Sequence, residues 1–340
     1  MKAIPTGYSV WHRWLVDSWY KNSLIGTVLS PLGFIYRSVV RLRKRLYDAG
    51  ILKKHSVAVP VIVVGNITVG GTGKTPLIIR LAQILTEAGF KPGIISRGYG
   101  GQSDSWPQWV DNHSDAGQVG DEALLIAGQT GCPMAVAPTR IDAARMLLQQ
   151  SACNVILSDD GLQHYALNRT IEIAVIDGER RFGNGYCLPA GPLREPVERL
   201  QSVDFIVVNG ARKHENEFSM QLVGDSAVNL VTGEQKPLRD FTGIDCHALA
   251  GIGNPERFFK LLASAGLNCT TQPFPDHYKF QRNDIALHDN KPVLMTEKDA
   301  VKCLAFAENR HWYVPVKAVL DPVFSEQLLS LLNKKHEIKT

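Results

Sequence analysis

Residues 61–75 read VIVVGNITVGGTGKT, a continuous apolar run followed by a glycine-rich loop that ends in Gly73-Lys74-Thr75. An uninterrupted apolar run of this kind is typical of a parallel strand that is covered on both faces. Apolar residues then recur at helical spacing up to Gly89, so the loop joins a buried strand to a helix. Glycines let backbone N–H groups converge on phosphate oxygens at a helix N-terminus, where Lys74 reaches the outer phosphates and the Thr75 hydroxyl can ligate Mg²⁺. The pattern therefore predicts a nucleotide-phosphate site.

Two details refine the nucleotide prediction. The usual phosphate-loop pattern GxxxxGK[ST] has glycine where this chain has Thr68, and extra glycines stand at positions 70 and 71 instead. A structural glycine-rich turn is the alternative interpretation. Residues 296–299 read TEKD, with the lysine one place too late for the guanine-reading pattern [NT]KxD, and Asn209 lacks such a continuation. We therefore expect ATP.

A second acidic element follows a later apolar run. Residues 155–158 read VILS, and the run ends in the paired carboxylates Asp159 and Asp160. On a neighbouring strand these would lie opposite Thr75, where they could hold Mg²⁺ or its waters. The alternative is a strand-ending turn into Gly161.

The periodicity of the chain predicts an α/β fold with a doubly wound parallel sheet, a second smaller α/β lobe and an N-terminal helical segment. We assign 1–54 to the N-terminal segment, 55–215 to the nucleotide-binding domain, 216–240 to a linker and 241–340 to the smaller lobe. In the first domain we expect further strands at 92–96, 133–137, 171–176 and 203–208, and helices near 121–129 and 139–150. In the second lobe we expect strands at 246–250, 269–273, 292–296 and 312–316, and helices at 255–265, 298–305 and 321–332.

The charge of the chain is concentrated at its N-terminus. Residues 1–54 carry ten Lys and Arg against two acids, a net charge of +8, so the remaining residues carry −4 of the total +4. Aromatic residues that favour a bilayer interface precede an apolar stretch at 24–36; they are Trp11, Trp14, Trp19 and Tyr20. The stretch is too short to span a bilayer, and we expect Pro31 to interrupt it.

This combination predicts a helix that lies in an anionic membrane surface. The alternatives are a packing helix with a solvated basic face and a partner-binding element.

The six cysteines form no CxxC pair and the ten histidines no HxH or HxxxH spacing, which argues against a disulfide framework, a structural zinc site and a secreted protein. We expect any metal to arrive with a substrate.

Seven further motifs along the chain are rich in charged, polar and glycine residues. They are SRGYGG (96–101), VGDE (119–122), DDGLQH (159–164), RFGNG (181–185), LPAGPLRE (188–195), FPDHY (274–278) and TEKDAVK (296–302). Taken singly these loops have plain explanations, since Asp121 could cap a helix and Arg194 and Glu195 could form a solvated pair. Together with GNITVGGTGKT (65–75), they make the chain resemble the tetraacyldisaccharide 4'-kinase family of Gram-negative bacteria over roughly residues 10–320.

The resemblance implies ATP- and Mg²⁺-dependent transfer of the γ-phosphate to the 4'-hydroxyl of a tetraacylated glucosamine disaccharide 1-phosphate, which gives lipid IVA in lipid A biosynthesis. It implies that the nucleotide is held by Thr68, Val69, Gly70, Gly71, Thr72, Gly73, Lys74 and Thr75. It places Mg²⁺ on Thr75, Asp159 and Asp160, and the catalytic groups at Asp121, His277, Lys74 and Arg194. Asp121 matches the family's general base, and His277 its partner in a dyad. Gln163, Arg194 and Glu195 match substrate-binding positions, with Arg194 suited to a phosphate.

A substrate with four acyl chains cannot leave the bilayer cheaply, because each buried CH₂ is worth about 0.8 kcal/mol. We therefore expect a peripheral or monotopic enzyme at the cytoplasmic face of the bacterial inner membrane. Its expected partners are the lipid substrate and the membrane surface, without nucleic acid or an obligate protein partner. The alternatives are a membrane-associated nucleotide switch or metallochaperone ATPase that acts on a protein, and a small-molecule kinase or ligase. Because the dyad draws one residue from each lobe, we expect closure of the cleft to assemble the site.

Overall fold

The apolar run after residue 60 forms the central strand of a large sheet in the computed structural model of the chain, which describes residue 16 and residues 18–21, 23–111 and 113–337. The strands of this sheet are β1 (Val61–Gly65), β2 (Pro92–Ser96), β3 (Gln108–Val110), β4 (Met134–Val136), β5 (Val155–Ser158), β6 (Ile171–Asp177), β7 (Phe205–Asn209), β8 (Glu217–Val223) and β15 (Lys317–Leu320). Over the described residues their order is β15-β8-β7-β6-β1-β5-β2-β4-β3. β1 pairs in parallel with both β5 and β6, so the carboxyl ends of these strands meet at one edge.

Helices cover both faces of the large sheet. Ile62 and Val64 of β1 face a core shared with helices Lys74–Glu87, Asp121–Thr130 and Pro322–Glu337, while Val61 and Val63 face helix Arg140–Gln150. This alternation explains the unbroken apolar run, because both faces of a central parallel strand are buried. The predicted doubly wound architecture is confirmed.

A second, smaller sheet carries the rest of the chain. Its strands are β9 (Ser226–Asn229), β10 (Gln235–Pro237), β11 (Asp245–Ala250), β12 (Asn268–Pro273), β13 (Val293–Thr296) and β14 (His311–Val314), in the order β10-β9-β14-β13-β11-β12 over the described residues. Helices Ala116–Val119, Pro255–Ser264, Arg282–Ile285 and Glu297–Cys303 complete the α-helices of the two lobes. The predicted second α/β lobe is confirmed.

The boundaries between the two lobes differ from those that we predicted. The expected linker 216–240 holds β8 of the large sheet and β9 and β10 of the small one. The chain also returns to the large sheet at its C-terminus, where β15 pairs antiparallel with β8. Phe324 and Leu328 of the last helix are fully buried in the core of the large sheet, and the ring of Phe324 meets those of Phe205 and Phe218. The helix predicted at 321–332 is present as Pro322–Glu337, but residues 317–337 pack with the large sheet and not with the small one.

The N-terminal helix, Leu24–Asp48, runs without interruption through Pro31. Our expectation of a break there is wrong for a local reason. Proline lacks the N–H that would donate to the carbonyl four residues back, which is that of Thr27. The Ser30 hydroxyl donates to the Thr27 carbonyl at 2.7 Å and takes the place of the missing donor.

The two faces of the N-terminal helix have different surroundings. Gly26 and Gly33 are its buried residues, and a Cβ on Gly33 would lie 2.9 Å from both Ala190 Cβ and the Cys187 carbonyl oxygen. The helix backbone therefore lies directly on the loop at 187–190. The outward face carries large apolar side chains that are each at least 53% exposed, namely Leu24, Val28, Leu32, Phe34, Ile35, Val39 and Leu42. Among the described helices, none has the length and apolar character to cross a bilayer.

The aromatic residues before this helix correct one part of the membrane prediction. Trp11 and Trp14 lie outside the described residues. Trp19 is only 5% exposed, and its indole N–H donates to the Pro189 carbonyl at 3.1 Å. The Tyr20 ring lies 5.3 Å from the Arg180 guanidinium. Trp19 and Tyr20 therefore pack on the lobe of the large sheet, where the Trp19 indole N–H and the Tyr20 ring have partners.

Candidate active site

The glycine-rich loop after β1 is held open by positive φ angles. Gly70 and Gly73 have φ of 98° and 97°, a region that favours glycine, and helix Lys74–Glu87 begins directly after Gly73. A Cβ on Gly73 would lie 2.4 Å from the side-chain nitrogen of Asn209. That amide donates to the Thr72 carbonyl at 3.1 Å, so the end of β7 supports the loop.

Lys74 lies between the loop and the acidic end of β5. Its ammonium is 3.3 Å from Asn66 Oδ1 and 3.5 Å from Asp160 Oδ1. Gln163 also reaches the loop, since its side-chain N–H donates to the Asn66 carbonyl at 2.9 Å. The predicted residues Lys74, Asp160 and Gln163 thus meet at one place.

Asp160 is held in place by cations. Its φ of 44° is unusual for a residue with a side chain, and Arg194 Nη1 lies 3.0 Å from its Oδ2. Burial raises the pKa of Asp160, but Lys74 and Arg194 more than offset this and lower it to about 2. Asp160 is therefore anionic at neutral pH.

Asp159 has a different environment. It is 2% exposed and accepts a hydrogen bond from the Ser96 hydroxyl at 3.1 Å. Burial, together with the negative charges of Glu122 and Asp160, raises the pKa of Asp159 above its ordinary value. A bound cation would relieve this accumulation of negative charge.

The residues at this edge fit a magnesium nucleotide. Among the described residues, Asp160 Oδ1 and Thr72 Oγ1 are buried and have no hydrogen-bond partner, although Lys74 lies 3.5 Å from Asp160 Oδ1 as an ion pair. Both oxygens therefore have unused capacity to bind a ligand. Carboxylate and hydroxyl oxygens are the protein ligands that Mg²⁺ prefers, and Thr75 lies at the start of the adjoining helix. Within the described ranges no group of three or more His, Cys, Asp or Glu side chains could hold a metal.

The two residues that we predict to form a dyad are in contact across the two lobes. Asp121 is the first residue of helix Asp121–Thr130, and His277 lies in the loop that follows β12 of the small sheet. His277 Nδ1 is 3.4 Å from Asp121 Oδ1. His277 has a φ of 57°, and its ring lies 4.8 Å from that of Tyr99. The two residues are 156 positions apart in the chain, so their contact depends on both lobes.

Two lysines from the TEKDAVK segment set the charge of the dyad. Lys302 Nζ is 3.5 Å from Asp121 Oδ2, and Lys298 lies close enough to act on the same carboxylate. Burial raises the pKa of Asp121, but His277, Lys298 and Lys302 outweigh it and hold that pKa well below its usual range. Asp121 is consequently ionised at neutral pH and free to accept a proton.

Lys298 also determines the tautomer of His277. Its ammonium is 3.3 Å from His277 Nε2, 2.8 Å from Glu122 Oε1 and 3.2 Å from Asp276 Oδ1. An ammonium can only donate, so Nε2 accepts and the ring proton lies on Nδ1, which faces Asp121. Burial lowers the pKa of Lys298, but Glu122, Asp276 and Asp121 together raise it above its ordinary value. Lys298 is therefore a permanent cation between the lobes.

The structure buries Glu195 more deeply than Gln163 and Arg194, and the Gln163 side chain also acts on its carboxylate. Arg194 faces Asp160, whereas Glu195 is 1% exposed and accepts a hydrogen bond from the Tyr165 hydroxyl. Arg199 Nε lies 3.4 Å from its second oxygen. Burial raises the pKa of Glu195. Its carboxylate thus lies in the interior, between Tyr165 and Arg199.

Several residues of the site were not predicted individually. Four of them lie within motifs that the sequence analysis singles out, but the motifs alone gave these residues no role: Tyr99, Glu122, Lys298 and Lys302. Arg140 lies outside them; its Nη2 donates to the carbonyls of both Asp159 and Asp160 at 3.0 Å. Beside Tyr99 there is a cavity of about 730 Å³, lined by residues 97–104, Trp106 and Pro138.

Comparisons with known proteins agree with this geometry. The family profile described as tetraacyldisaccharide-1-P 4'-kinase matches residues 25–333. The tetraacyldisaccharide 4'-kinase of Nitrosococcus oceani is 51% identical over 326 residues, covering 95% of this chain and 96% of that protein. That of Actinobacillus pleuropneumoniae serotype 7 is 48% identical, covering 94% and 99%. The crystal structure of LpxK from Aquifex aeolicus in complex with ATP is similar, with a TM-score of 0.77, 27% identity and coverage of 91% and 99%.

The matches extend over almost the whole chain and include both lobes of the site. A family profile that covers residues 25–333 spans the phosphate loop, the acidic pair and the dyad. The chain belongs to the tetraacyldisaccharide-1-phosphate 4'-kinase family, a family of lipid kinases.

Proposed function

We propose that this enzyme transfers the γ-phosphate of ATP to the 4'-hydroxyl of a tetraacylated glucosamine disaccharide 1-phosphate and so forms lipid IVA. The observation that carries the proposal is the contact between His277 Nδ1 and Asp121 Oδ1 at 3.4 Å. The contact holds the ionised carboxylate of Asp121, and the next residue, Glu122, is close enough for its charge to act on Asp159 at the phosphate site. A switch that only hydrolyses nucleotide to signal to a protein does not need a dyad with one residue from each lobe.

The nucleotide phosphates would lie on the loop from Thr68 to Thr75, with Lys74 on the outer phosphates. Mg²⁺ would be held by the Thr75 hydroxyl, Asp159 and Asp160. When bound, it neutralises the charge that develops on the phosphate oxygens. Arg194, already 3.0 Å from Asp160, is placed to contact a phosphate of the nucleotide or of the lipid.

Asp121 would act as the general base. It accepts the proton of the 4'-hydroxyl as that oxygen forms its bond to the γ-phosphorus, and the bond from phosphorus to the bridging oxygen of ADP breaks. His277 donates its Nδ1–H to Asp121 and so orients the carboxylate. Lys298 fixes the tautomer of His277 from the other side.

Gln163 and Arg194 would also contact the sugar lipid. Glu195, buried against Tyr165, would contribute by fixing the segment that carries Arg194.

The exposed apolar face of helix Leu24–Asp48 would dock the enzyme peripherally on the cytoplasmic face of the inner membrane. Seven exposed apolar side chains on one helix form a surface that suits the interfacial region of a bilayer. The excess positive charge of residues 1–54 would favour anionic lipids, at about 1 kcal/mol for each cation near the surface. Docking in this way brings the active site to a substrate that stays in the bilayer.

The activity is tested with γ-labelled ATP, Mg²⁺ and the purified disaccharide lipid. We expect label in the glycolipid fraction with the wild type. Asp121→Asn should bind ATP normally and lose at least about 100-fold in turnover, whereas Lys74→Ala should lose nucleotide binding. Asp240→Asn, at an exposed carboxylate of the small lobe, is the matched control. Near-normal turnover in Asp121→Asn would remove this residue as the base.

Membrane docking is tested separately by co-flotation with vesicles of anionic or neutral lipid. Phe34→Glu places a charge on the apolar face of the helix and should abolish co-flotation. Val319→Glu makes the same kind of change at an apolar side chain that is 54% exposed on the edge strand β15, and should leave co-flotation intact. Equal co-flotation of the two variants would contradict docking through this helix.

A further inference from the structure

The polar side of the N-terminal helix contacts the residues that support Lys74. Arg43 Nη1 donates to the Gln163 carbonyl at 3.1 Å. The Gln163 side chain donates to the Asn66 carbonyl at 2.9 Å, and Lys74 Nζ lies 3.3 Å from Asn66 Oδ1. Three consecutive hydrogen bonds thus connect the helix to the lysine of the phosphate loop.

Arg43 is held where it can make the first of these bonds. Its guanidinium lies 5.7 Å from the centre of the Tyr47 ring and 5.8 Å from that of Tyr165. Tyr165 is itself buried and donates its hydroxyl to Glu195, so its ring is a fixed platform. A planar guanidinium that stacks on aromatic rings loses little entropy when it forms a hydrogen bond.

We propose that Arg43 is a positioning residue that holds Gln163 and Asn66 so that Lys74 is aimed at the nucleotide phosphates. The N-terminal helix would then be part of the catalytic apparatus as well as its attachment to the membrane. The inference rests on the proposed kinase function for its activity readout, but its effect on ATP binding can be measured without lipid.

Arg43→Ala is compared with Arg45→Ala in the full chain. Arg45 carries the same charge two residues further along the same helix, and it is exposed and forms no side-chain hydrogen bond or ion pair among the described residues. Any loss of attraction to anionic lipid is therefore similar in the two variants. We expect Arg43→Ala to weaken ATP binding and lower turnover in detergent micelles by about fivefold, and Arg45→Ala to change both by less than about twofold. Equal effects of the two substitutions would overturn the proposal.

A double-mutant cycle with Gln163→Ala tests the connection itself. This substitution keeps the carbonyl that Arg43 binds but removes the side chain that reaches Asn66. If Arg43 acts through Gln163, Arg43→Ala will weaken ATP binding in the wild-type background and cause no further loss in the Gln163→Ala background. The same loss in both backgrounds would show that Arg43 acts by another route and would overturn the proposal. A wild-type enzyme that binds ATP but phosphorylates no lipid would instead contradict the proposed function.

Discussion

Lys298 of the small lobe contacts both Glu122 of the large lobe and His277 of the dyad. Its substitution therefore tests the connection between the lobes and the support of the dyad together. The ammonium lies 2.8 Å from Glu122 Oε1 and 3.3 Å from His277 Nε2, and its side chain is 13% exposed. Lys298→Met keeps much of the apolar stem and removes the charge. Both the attachment of the small lobe to Glu122 and the support of the His277 ring are lost.

The magnitude follows from the geometry. At 2.8 Å and an effective dielectric constant of about 20, the attraction of Lys298 to Glu122 is about 6 kcal/mol before any costs. Desolvation of the lysine and the 28% exposure of the glutamate side chain reduce the net loss to roughly 2 kcal/mol. If that loss falls on the assembled dyad, turnover decreases about 30-fold.

The assay is steady-state transfer of labelled phosphate to the lipid at saturating substrates, with ATP binding measured in parallel. Lys334→Met, at an exposed lysine of the last helix, controls for the loss of one charge. The double variant with Glu122→Gln should lose much less than the product of the single effects, because the two substitutions break the same ion pair. Turnover of Lys298→Met within about threefold of the wild type would refute the assigned role.

Three further results are expected. In nitrogen-15 spectra of the nucleotide-free enzyme, His277 should show a protonated Nδ1 and an unprotonated Nε2, and the reverse tautomer would contradict its contact with an ammonium. Burial and the charge of Arg140 lower the pKa of His164 to about 4. The folded chain therefore binds fewer protons than the unfolded chain between pH 4 and about 6.5, and stability falls as the pH drops through this window. His164→Gln should therefore lose roughly 1 kcal/mol less stability than the wild type at acid pH, a figure discounted for the partial exposure of His164. Thermal unfolding of the two proteins is compared at pH 5 and 7.5, and an equal loss of stability in both would contradict the assignment. Gly33→Val places atoms against Ala190 and should cost about 1 to 3 kcal/mol of stability, so an unchanged melting temperature would contradict close packing of the helix.

The sequence predicted the catalytic edge of the large sheet because local patterns determine it. A continuous apolar run marks a central strand, and Asp159 and Asp160 follow a second such run. The parallel pairing of these two strands brings both carboxylates to the phosphate loop. The contact of Asp121 with His277 had a different basis, since only the resemblance connected residues of two separate lobes.

The course of the chain after residue 216 could not be predicted in the same way. Helical periodicity in residues 322–337 shows which side chains are buried but does not show against which sheet. The ring of Phe324 contacts those of Phe205 and Phe218, which are more than a hundred positions away in the chain. No local sequence pattern predicts such a contact. The uninterrupted helix at Pro31 depends similarly on one side-chain contact, from Ser30 to the Thr27 carbonyl.

Lys298, Lys302 and Arg140 were missed as site residues for one physical reason. A single Lys or Arg on a helix usually lies in solvent, and sequence alone does not reveal the carboxylate that it meets. Their roles follow from contacts made across the fold, with Glu122, Asp121 and the carbonyls after β5.

The most direct test of the account is where the γ-phosphate goes. Wild type and Asp121→Asn are incubated with γ-labelled ATP, Mg²⁺ and the tetraacyl disaccharide 1-phosphate in mixed micelles. The label is then divided into inorganic phosphate and lipid, and its position on the lipid is determined by phosphorus NMR. We expect the wild type to place the label on the 4'-oxygen and Asp121→Asn to transfer at least about 100-fold more slowly while it still binds ATP. Label recovered only as inorganic phosphate, or at another oxygen of the lipid, would contradict the proposed function.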